Sequence, residues 1–388
     1  MFFKDSWSLH FLLKNTLFYV LGDDEIKNCD RKLFIILLFV HFFPIKCIVC
    51  LINKMTVETT TLNTGAKLPL FGLGTWQSKD EAELKVALRA ALDAGYRLID
   101  TAFLYQNESI IGEILEEYIQ SGKIKREDLF ITTKLSFTAH APQDVAKAVD
   151  LQLKALRLDY IDLFLIHTPT PFKHQDGNFL PIIEDGVFVV DTTPHIETWR
   201  ELEKLYHSGK LRALGVSNFS AKQLQALYDA AEVKPSNHQI ELHIYWPQEE
   251  LRALAKKLNI TVTAYAPLGS PGRKAARPDG VWPEGDPLLE PIVKKLAEKY
   301  HKTPAQILLR HLTQEGISAI PKSTNPDRIV ENISIFDFKL STEDLEALRT
   351  QVTSRVRLFL ADFAAHHPFF PHEDVDTSKA PRVVLKLH

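Results

Sequence analysis

After Cys50 the sequence contains no cysteine, and its only two methionines are Met1 and Met55. Everything beyond residue 50 therefore lacks both a disulfide framework and a thiol nucleophile. An excess of one charge is also missing: 46 basic against 49 acidic residues leave a formal charge of −3, without any Lys/Arg-rich run. Neither nucleic acid nor an anionic membrane surface is an expected partner. No metal-ligand spacing is present, since the C-x-x-C of Cys47 and Cys50 has no second pair or nearby His cluster. The G-x-G-x-x-G fingerprint is absent too. Gly72-Leu73-Gly74 lacks the third glycine, and no acidic residue closes the following strand at the ribose-binding distance, which argues against a doubly wound dinucleotide-binding sheet.

What is present is globular in character, with 45% hydrophobic and 24% charged residues. Residues 33–52 form an apolar run of about the ~20 residues needed to span a bilayer. His41, Pro44 and Lys46 interrupt it, and more than thirty residues precede it, which is a poor placement for a cleaved signal peptide. Residues 1–54 read either as an apolar anchor or as an extension upstream of the true start at Met55. Four N-x-S/T acceptors, at Asn107, Asn218, Asn259 and Asn332, favour the second reading, because Asn218 and Asn332 fall at candidate site positions.

From Met55 the pattern alternates. Asn63-Thr64-Gly65 between two β-like stretches predicts a hairpin over 59–70. Strands are expected at 71–75, 97–102, 129–134, 160–167, 211–217, 236–242, 260–265 and 317–321, with helices at 80–95, 107–121, 142–157, 196–208, 220–231 and 248–258. Two more helices are expected near 288–300 and 304–314. Eight strands alternating with helices predict a parallel sheet, and 334 residues suit an α/β fold of (β/α)8 TIM-barrel type, with long loops at 168–194 and 266–287. The domain expected spans 55–376, followed by a tail at 377–388.

In such a barrel the chemistry sits at the C-terminal strand ends. Those ends carry Trp76, Asp100 with Tyr105, Lys134, His167, Ser217 with Asn218, Gln239, Tyr265 and Lys322. One strand-end His or Lys is unremarkable; eight polar or aromatic ends together are not explained by packing. A tyrosine ordinarily titrates near about 10, and an ammonium within ~4–6 Å is expected to lower that by roughly 1–3 units. Asp100 would orient Lys134, and His167 would position a substrate oxygen. A proton donor with a tuner and an orienter, and without an activated nucleophile, suits carbonyl reduction with the hydride supplied from elsewhere. The Y-x-x-x-K of Tyr206 and Lys210 stands beside Gly209 at a helix end and reads as a solvated helix terminus.

From about Thr59 to His372 the chain resembles the aldo-keto reductases, particularly the aldose/aldehyde reductase branch. The motifs are an Asp-Tyr-Lys-His set at Asp100, Tyr105, Lys134 and His167, and Gly-Thr-Trp at 74–76. Ser217-Asn218, Gln239, Ala-Tyr-x-Pro-Leu-Gly-Ser at 264–270 and Ile-Pro-Lys-Ser at 320–323 follow, then Arg328, Glu331 and Asn332. The resemblance implies an NADP-dependent oxidoreductase reducing aldehydes and ketones, with Tyr105 as general acid. It implies that NADPH is held by Gly74, Thr75, Trp76, Ser217, Asn218, Gln239, Tyr265, Leu268, Ser270, Lys322, Ser323, Arg328, Glu331 and Asn332. Tyr265 would stack on the nicotinamide, and Lys322, Ser323 and Arg328 would grip the 2′-phosphate. Two cations and a hydroxyl suit a phosphate better than a ribose diol. Substrate would contact Trp76, Tyr105, His167 and Thr168. A cytosolic monomer is the family expectation.

The chain departs from the branch in three places. Thr168 stands where a tryptophan is usual, removing one aromatic wall of the substrate pocket; the loop 168–194, with Phe172, Phe179 and Leu180, and the segment 355–371 are expected to supply the others. His238 replaces an asparagine. Gln77 and Gly272 replace a Lys/Asp pair that closes over the cofactor, which implies faster cofactor exchange. The competing readings are a non-catalytic NADPH-binding regulatory or structural protein on the same barrel, and a phosphosugar enzyme using Lys322 and Ser323.

Overall fold

The computed structural model describes residues 57–175, 179–276 and 282–376. The three cysteines, the apolar run 33–52, the start at Met55 and the tail 377–388 lie outside the described residues.

Two short strands, β1 (Thr59–Thr61) and β2 (Lys67–Pro69), pair antiparallel as the expected hairpin. The barrel strands are β3 (Gly72–Gly74), β4 (Leu98–Asp100), β5 (Phe130–Leu135), β6 (Leu163–Ile166), β9 (Leu214–Ser217), β10 (Asn237–Glu241), β11 (Thr261–Tyr265) and β12 (Ser318–Ala319). They run parallel in the order β3-β4-β5-β6-β9-β10-β11-β12. Single parallel bridges, Phe71 to Ala319 and Gly74 to Lys322, join the first strand to the last. This is a (β/α)8 barrel. At the seam a Cβ on Gly74 would lie 2.6 Å from the Ile320 carbonyl oxygen, so only glycine lets the edges meet there.

Helix α1 (Glu81–Ala94) shows how the sequence specifies these elements. Asp80 caps it by accepting from the Glu83 N–H, and Gly95 stops it at φ +102°. The apolar residues at helical spacing, Leu84, Ala87, Leu88, Ala91 and Leu92, are the ones it buries. Helices α2 (Glu108–Gln120), α3 (Pro142–Leu156), α4 (His195–His207), α5 (Ala221–Ala230) and α6 (Glu249–Lys257) follow their strands in the expected order. Helices α7 (Pro291–Tyr300) and α8 (Pro304–Gln314) precede β12; α9 (Pro326–Ile333) and α10 (Thr342–Gln351) come after it.

The main core lies between strands and helices. Inside the barrel, Leu98, Phe130, Leu163, Leu165, Ala213 and Ile320 form a second cluster with Leu62 and Leu68 of the hairpin region. The lower barrel is thus filled, leaving the upper end for function.

Three local differences from expectation have clear causes. The fourth strand starts at Leu163 because Asp162 turns its carboxylate to the Ile131 N–H (2.9 Å) and Arg126 (2.6 Å), while the Tyr160 ring lies under the Arg126 and Arg212 guanidiniums. Tyr105 ends a 3-10 turn, Phe103–Tyr105, that follows β4. The loop 168–194 contains a small hairpin, β7 (Ile183–Glu184) with β8 (Val187–Phe188). Among the described residues no helix is long and apolar enough to cross a membrane.

Candidate active site

The C-terminal strand ends surround a cavity of about 1490 Å³. Its floor is built around β4 and β5. Lys134 is fully buried; its Nζ donates to Asp100 Oδ1 at 2.5 Å and to the Thr101 carbonyl at 2.8 Å. The second Asp100 oxygen accepts from Gln239 Nε2 at 2.6 Å. Burial pushes the Asp100 carboxyl up and the Lys134 ammonium down, and their mutual attraction opposes both shifts. Below them Gln152 Nε2 contacts Glu108 Oε1 (2.9 Å), Thr133 Oγ1 (2.9 Å) and the Lys134 carbonyl (3.1 Å), which pins the strand carrying the lysine.

The Tyr105 ring stands edge-on to His167 with centroids 5.8 Å apart, and Lys134 Nζ lies 5.2 Å from its centroid. The expected lowering of the tyrosine does not occur. Desolvation first, then Asp100 and Tyr265, hold the Tyr105 phenol well above its ordinary value. Burial is the main reason, since it disfavours the phenolate, and Asp100, 2.5 Å from the Lys134 ammonium, offsets the lowering that the ammonium alone would give. Burial, then the Lys134 charge, then His140 push the His167 imidazole well below its ordinary value, so this ring is neutral near pH 7. Its Nδ1 is buried without a partner among the described residues.

On the opposite wall Asn218 adopts φ +63°, a conformation asparagine tolerates. Its Nδ2 donates to the His167 carbonyl (2.9 Å) and Ser217 Oγ (3.1 Å), and its Oδ1 accepts from the Tyr265 hydroxyl (2.9 Å). Three strand ends are thereby fixed to one another. Farther along the cavity, Lys322 and Arg328 make no ion pair among the described residues, and α9 begins beside them with Asn325 as its cap. Glu331 accepts from the Thr303 hydroxyl at 2.9 Å.

Gly74, Thr75, Trp76, Asp100, Tyr105, His167, Thr168, Ser217, Asn218 and Gln239 all line this one cavity. So do Tyr265, Leu268, Ser270, Lys322, Ser323, Arg328, Glu331 and Asn332. Lys134 lies one layer below, under Asp100. Of the expected walls, the loop residues Phe172, Phe179 and Leu180 need correction. Phe172 is buried behind the surface against Phe137, Phe188 and Phe363; Phe179 packs on Phe103; Leu180 is exposed. Trp76 and, from the expected segment 355–371, Phe359 and Phe363 do line the cavity, together with Leu104, Phe137 and Trp282, which lie outside the expected walls. Of the residues that sequence reasoning missed, Phe137 could have been found three positions beyond Lys134. Asn107 gave a misleading signal: its carboxamide is fully buried, accepting from Thr101 Oγ1 (2.8 Å) and donating to the carbonyls of Thr75 (2.9 Å) and Ser78 (3.2 Å). In the folded chain it is a brace between strand ends and no glycan acceptor. Lys210 pairs with Asp150 at 2.6 Å in an exposed contact, as expected of a solvated helix end.

A comparison with family profiles matches residues 70–352 to the Aldo/keto reductase family. The chain is 44% identical over 331 residues to bovine aldo-keto reductase family 1 member A1, covering 82% of this chain and 99% of that protein. The human protein of the same name is 43% identical with the same coverage, and the chicken protein 46% identical over 291 residues, covering 74% and 86%. Among solved structures, the aldose reductase from Schistosoma japonicum superposes with a TM-score of 0.75 at 40% identity, covering 82% of this chain and 99% of that one.

Proposed function

The chain belongs to the aldo/keto reductase family, whose members are carbonyl oxidoreductases, and from that premise we propose that it reduces aldehydes and ketones to alcohols with NADPH. The observation that carries this reading is the convergence of Tyr105, His167 and the buried Asp100–Lys134 pair on the floor of a cavity that also reaches Lys322 and Arg328.

The cavity's chemistry fits the cofactor. Lys322 and Arg328, without ion-pair partners among the described residues, and the N-terminus of α9 offer an anion site for the 2′-phosphate, joined by the Ser323 hydroxyl. Glu331 and Asn332 would meet the adenine. The Tyr265 ring would face the nicotinamide, with Ser217, Asn218 and Gln239 at its carboxamide; Gly74, Thr75, Trp76, Leu268 and Ser270 complete the channel. NADPH, when bound, supplies the hydride to the carbonyl carbon.

The protein's own part is proton transfer and orientation. A neutral His167 donates a hydrogen bond to the carbonyl oxygen and fixes it beside Tyr105. Tyr105 gives its phenolic proton to that oxygen as charge develops there. An alkoxide is a far stronger base than a phenolate, so a tyrosine held protonated by burial remains an effective acid. Lys134 Nζ, 5.2 Å from the ring centroid, stabilises the phenolate left behind.

Tyr105→Phe tests the assignment. The substitution should cut kcat at least about a hundredfold, given the ~10²–10⁴-fold typical of general-acid help. NADPH should still quench tryptophan fluorescence in that variant. Near-wild-type turnover would overturn the role of Tyr105; absence of NADPH binding by the wild type would overturn the cofactor.

A further inference from the structure

Glu241 is the last residue of β10 and the register partner of Tyr265, and its side chain is completely buried. A buried carboxylate must find its partners within the protein. Here they come from the C-terminal segment: Oε1 accepts the Leu358 N–H at 2.6 Å and Oε2 the Phe359 N–H at 3.2 Å. His243 Nε2 lies 2.9 Å from Oε1, and Arg357 Nη1 lies 3.9 Å from Oε2. Arg357 is in turn clamped by Asp374 through two 3.0 Å contacts and covers the Trp246 ring.

The consequence appears one residue later. The Phe359 ring packs edge-on against Trp76 (5.6 Å), Tyr265 (5.7 Å) and Trp282 (5.6 Å), bridging parts of the cavity wall that come from distant stretches of sequence. Its backbone is fixed by a carboxylate on the barrel itself, through bonds of the strong, charge-assisted kind.

We propose that Glu241 is a positioning residue for carbonyl specificity: it latches the C-terminal segment to β10 so that Phe359 forms a fixed wall for substrates with a bulky apolar or aromatic portion. This rests on the reductase reading above. Glu241 touches no reacting atom; it acts through Phe359. A wall set in advance binds without first being ordered, so losing the latch weakens binding of substrates that reach it and spares the chemical step.

The test is Glu241→Gln, which keeps the side-chain shape and removes the charge and one acceptor. Hydrogen exchange should be faster at the Leu358 and Phe359 amides. KM for a bulky aryl aldehyde should rise about tenfold while kcat changes less than about twofold, and a short aliphatic aldehyde should show a smaller rise. Phe359→Ala should reproduce the KM rise with Glu241 intact, and the double variant should be no worse than either single one. Unchanged exchange at 358–359, equal loss for both aldehydes, or a normal KM in Phe359→Ala overturns the proposal. If Glu241→Gln does not fold, Glu241→Asp, which keeps the charge but shortens the reach to the Leu358 and Phe359 N–H groups, takes its place in the same exchange and KM measurements. A wild type that reduces no carbonyl with NADPH defeats the reductase reading separately, while the exchange measurement still judges the latch.

Discussion

At the scale of single residues, the site is governed by burial more than by pairwise charge. Desolvation is the largest influence on Asp100, Tyr105, Lys134 and His167 alike. For Tyr105 the shift is upward, so the protonated acid persists to higher pH; for His167 it is downward, so the ring stays neutral to lower pH. The kcat/KM for carbonyl reduction should therefore be level from about pH 6 to about 9 and fall only beyond the ordinary tyrosine range near 10. A limb centred near the ordinary histidine value in the pH–rate profile would contradict the neutral His167. The Asp100–Lys134 pair behaves differently. Lys134→Met strands a buried carboxylate and should cost about 3–5 kcal/mol in denaturant unfolding, whereas Tyr105→Phe should leave stability near wild type. Loss of activity in Lys134→Met thus mixes chemistry with stability.

Between elements, the parts that shape the cavity are braced by polar side chains whose partners lie far away in sequence or in another loop. Arg273 is buried beneath the loop that follows β11. Its Nη1 donates to the Gly269 carbonyl (2.8 Å), and its Nη2 to those of Pro283 (3.0 Å) and Gly285 (2.9 Å). Leu268 and Ser270, expected to meet the cofactor, stand on that loop. Arg273→Met removes the donors and leaves carbonyls unsatisfied, a local cost of about 1–3 kcal/mol. The expected outcome is faster proteolysis of this loop and weaker NADPH binding by fluorescence titration, with unaltered circular dichroism. Unchanged NADPH affinity would separate the loop from the cofactor. Sequence reading located the loop by its length, but no periodicity links Arg273 to carbonyls ten and twelve residues away.

Across the whole molecule, buried histidines make the fold sensitive to acid, and three besides His167 illustrate it. His140, His238 and His372 are each depressed to about 3, chiefly by desolvation. The unfolded chain takes up protons below the ordinary histidine value of about 6.5, while the folded chain does so only near the depressed values. Stability is therefore complete above about pH 6.5 and is lost as pH falls from there toward 3, by about 1.4 kcal/mol per pH unit for each histidine. Thermal unfolding between neutral pH and pH ~4.5 should show this slope. His238→Asn should flatten it by one histidine's share; an unaltered slope would remove His238 from the account.

The sequence by itself determined the alternation of elements, the barrel, and the strand ends at which Asp100, Tyr105, Lys134, His167 and Tyr265 appear. Those are consequences of local periodicity and of a topology that puts every strand's C-terminal end on one face. The tertiary structure decided the rest. It buried the Tyr105 phenol and set Asp100 against Lys134, and so reversed the shift expected of Tyr105. It withdrew Phe172 from the wall and decided which residues of the expected segment 355–371, Phe359 among them, stand there, and it set Asn107 and Glu241 as braces between distant segments. Such outcomes depend on which groups lose their water and which distant carbonyls and carboxylates they then meet, and these follow from three-dimensional packing rather than from spacing along the chain.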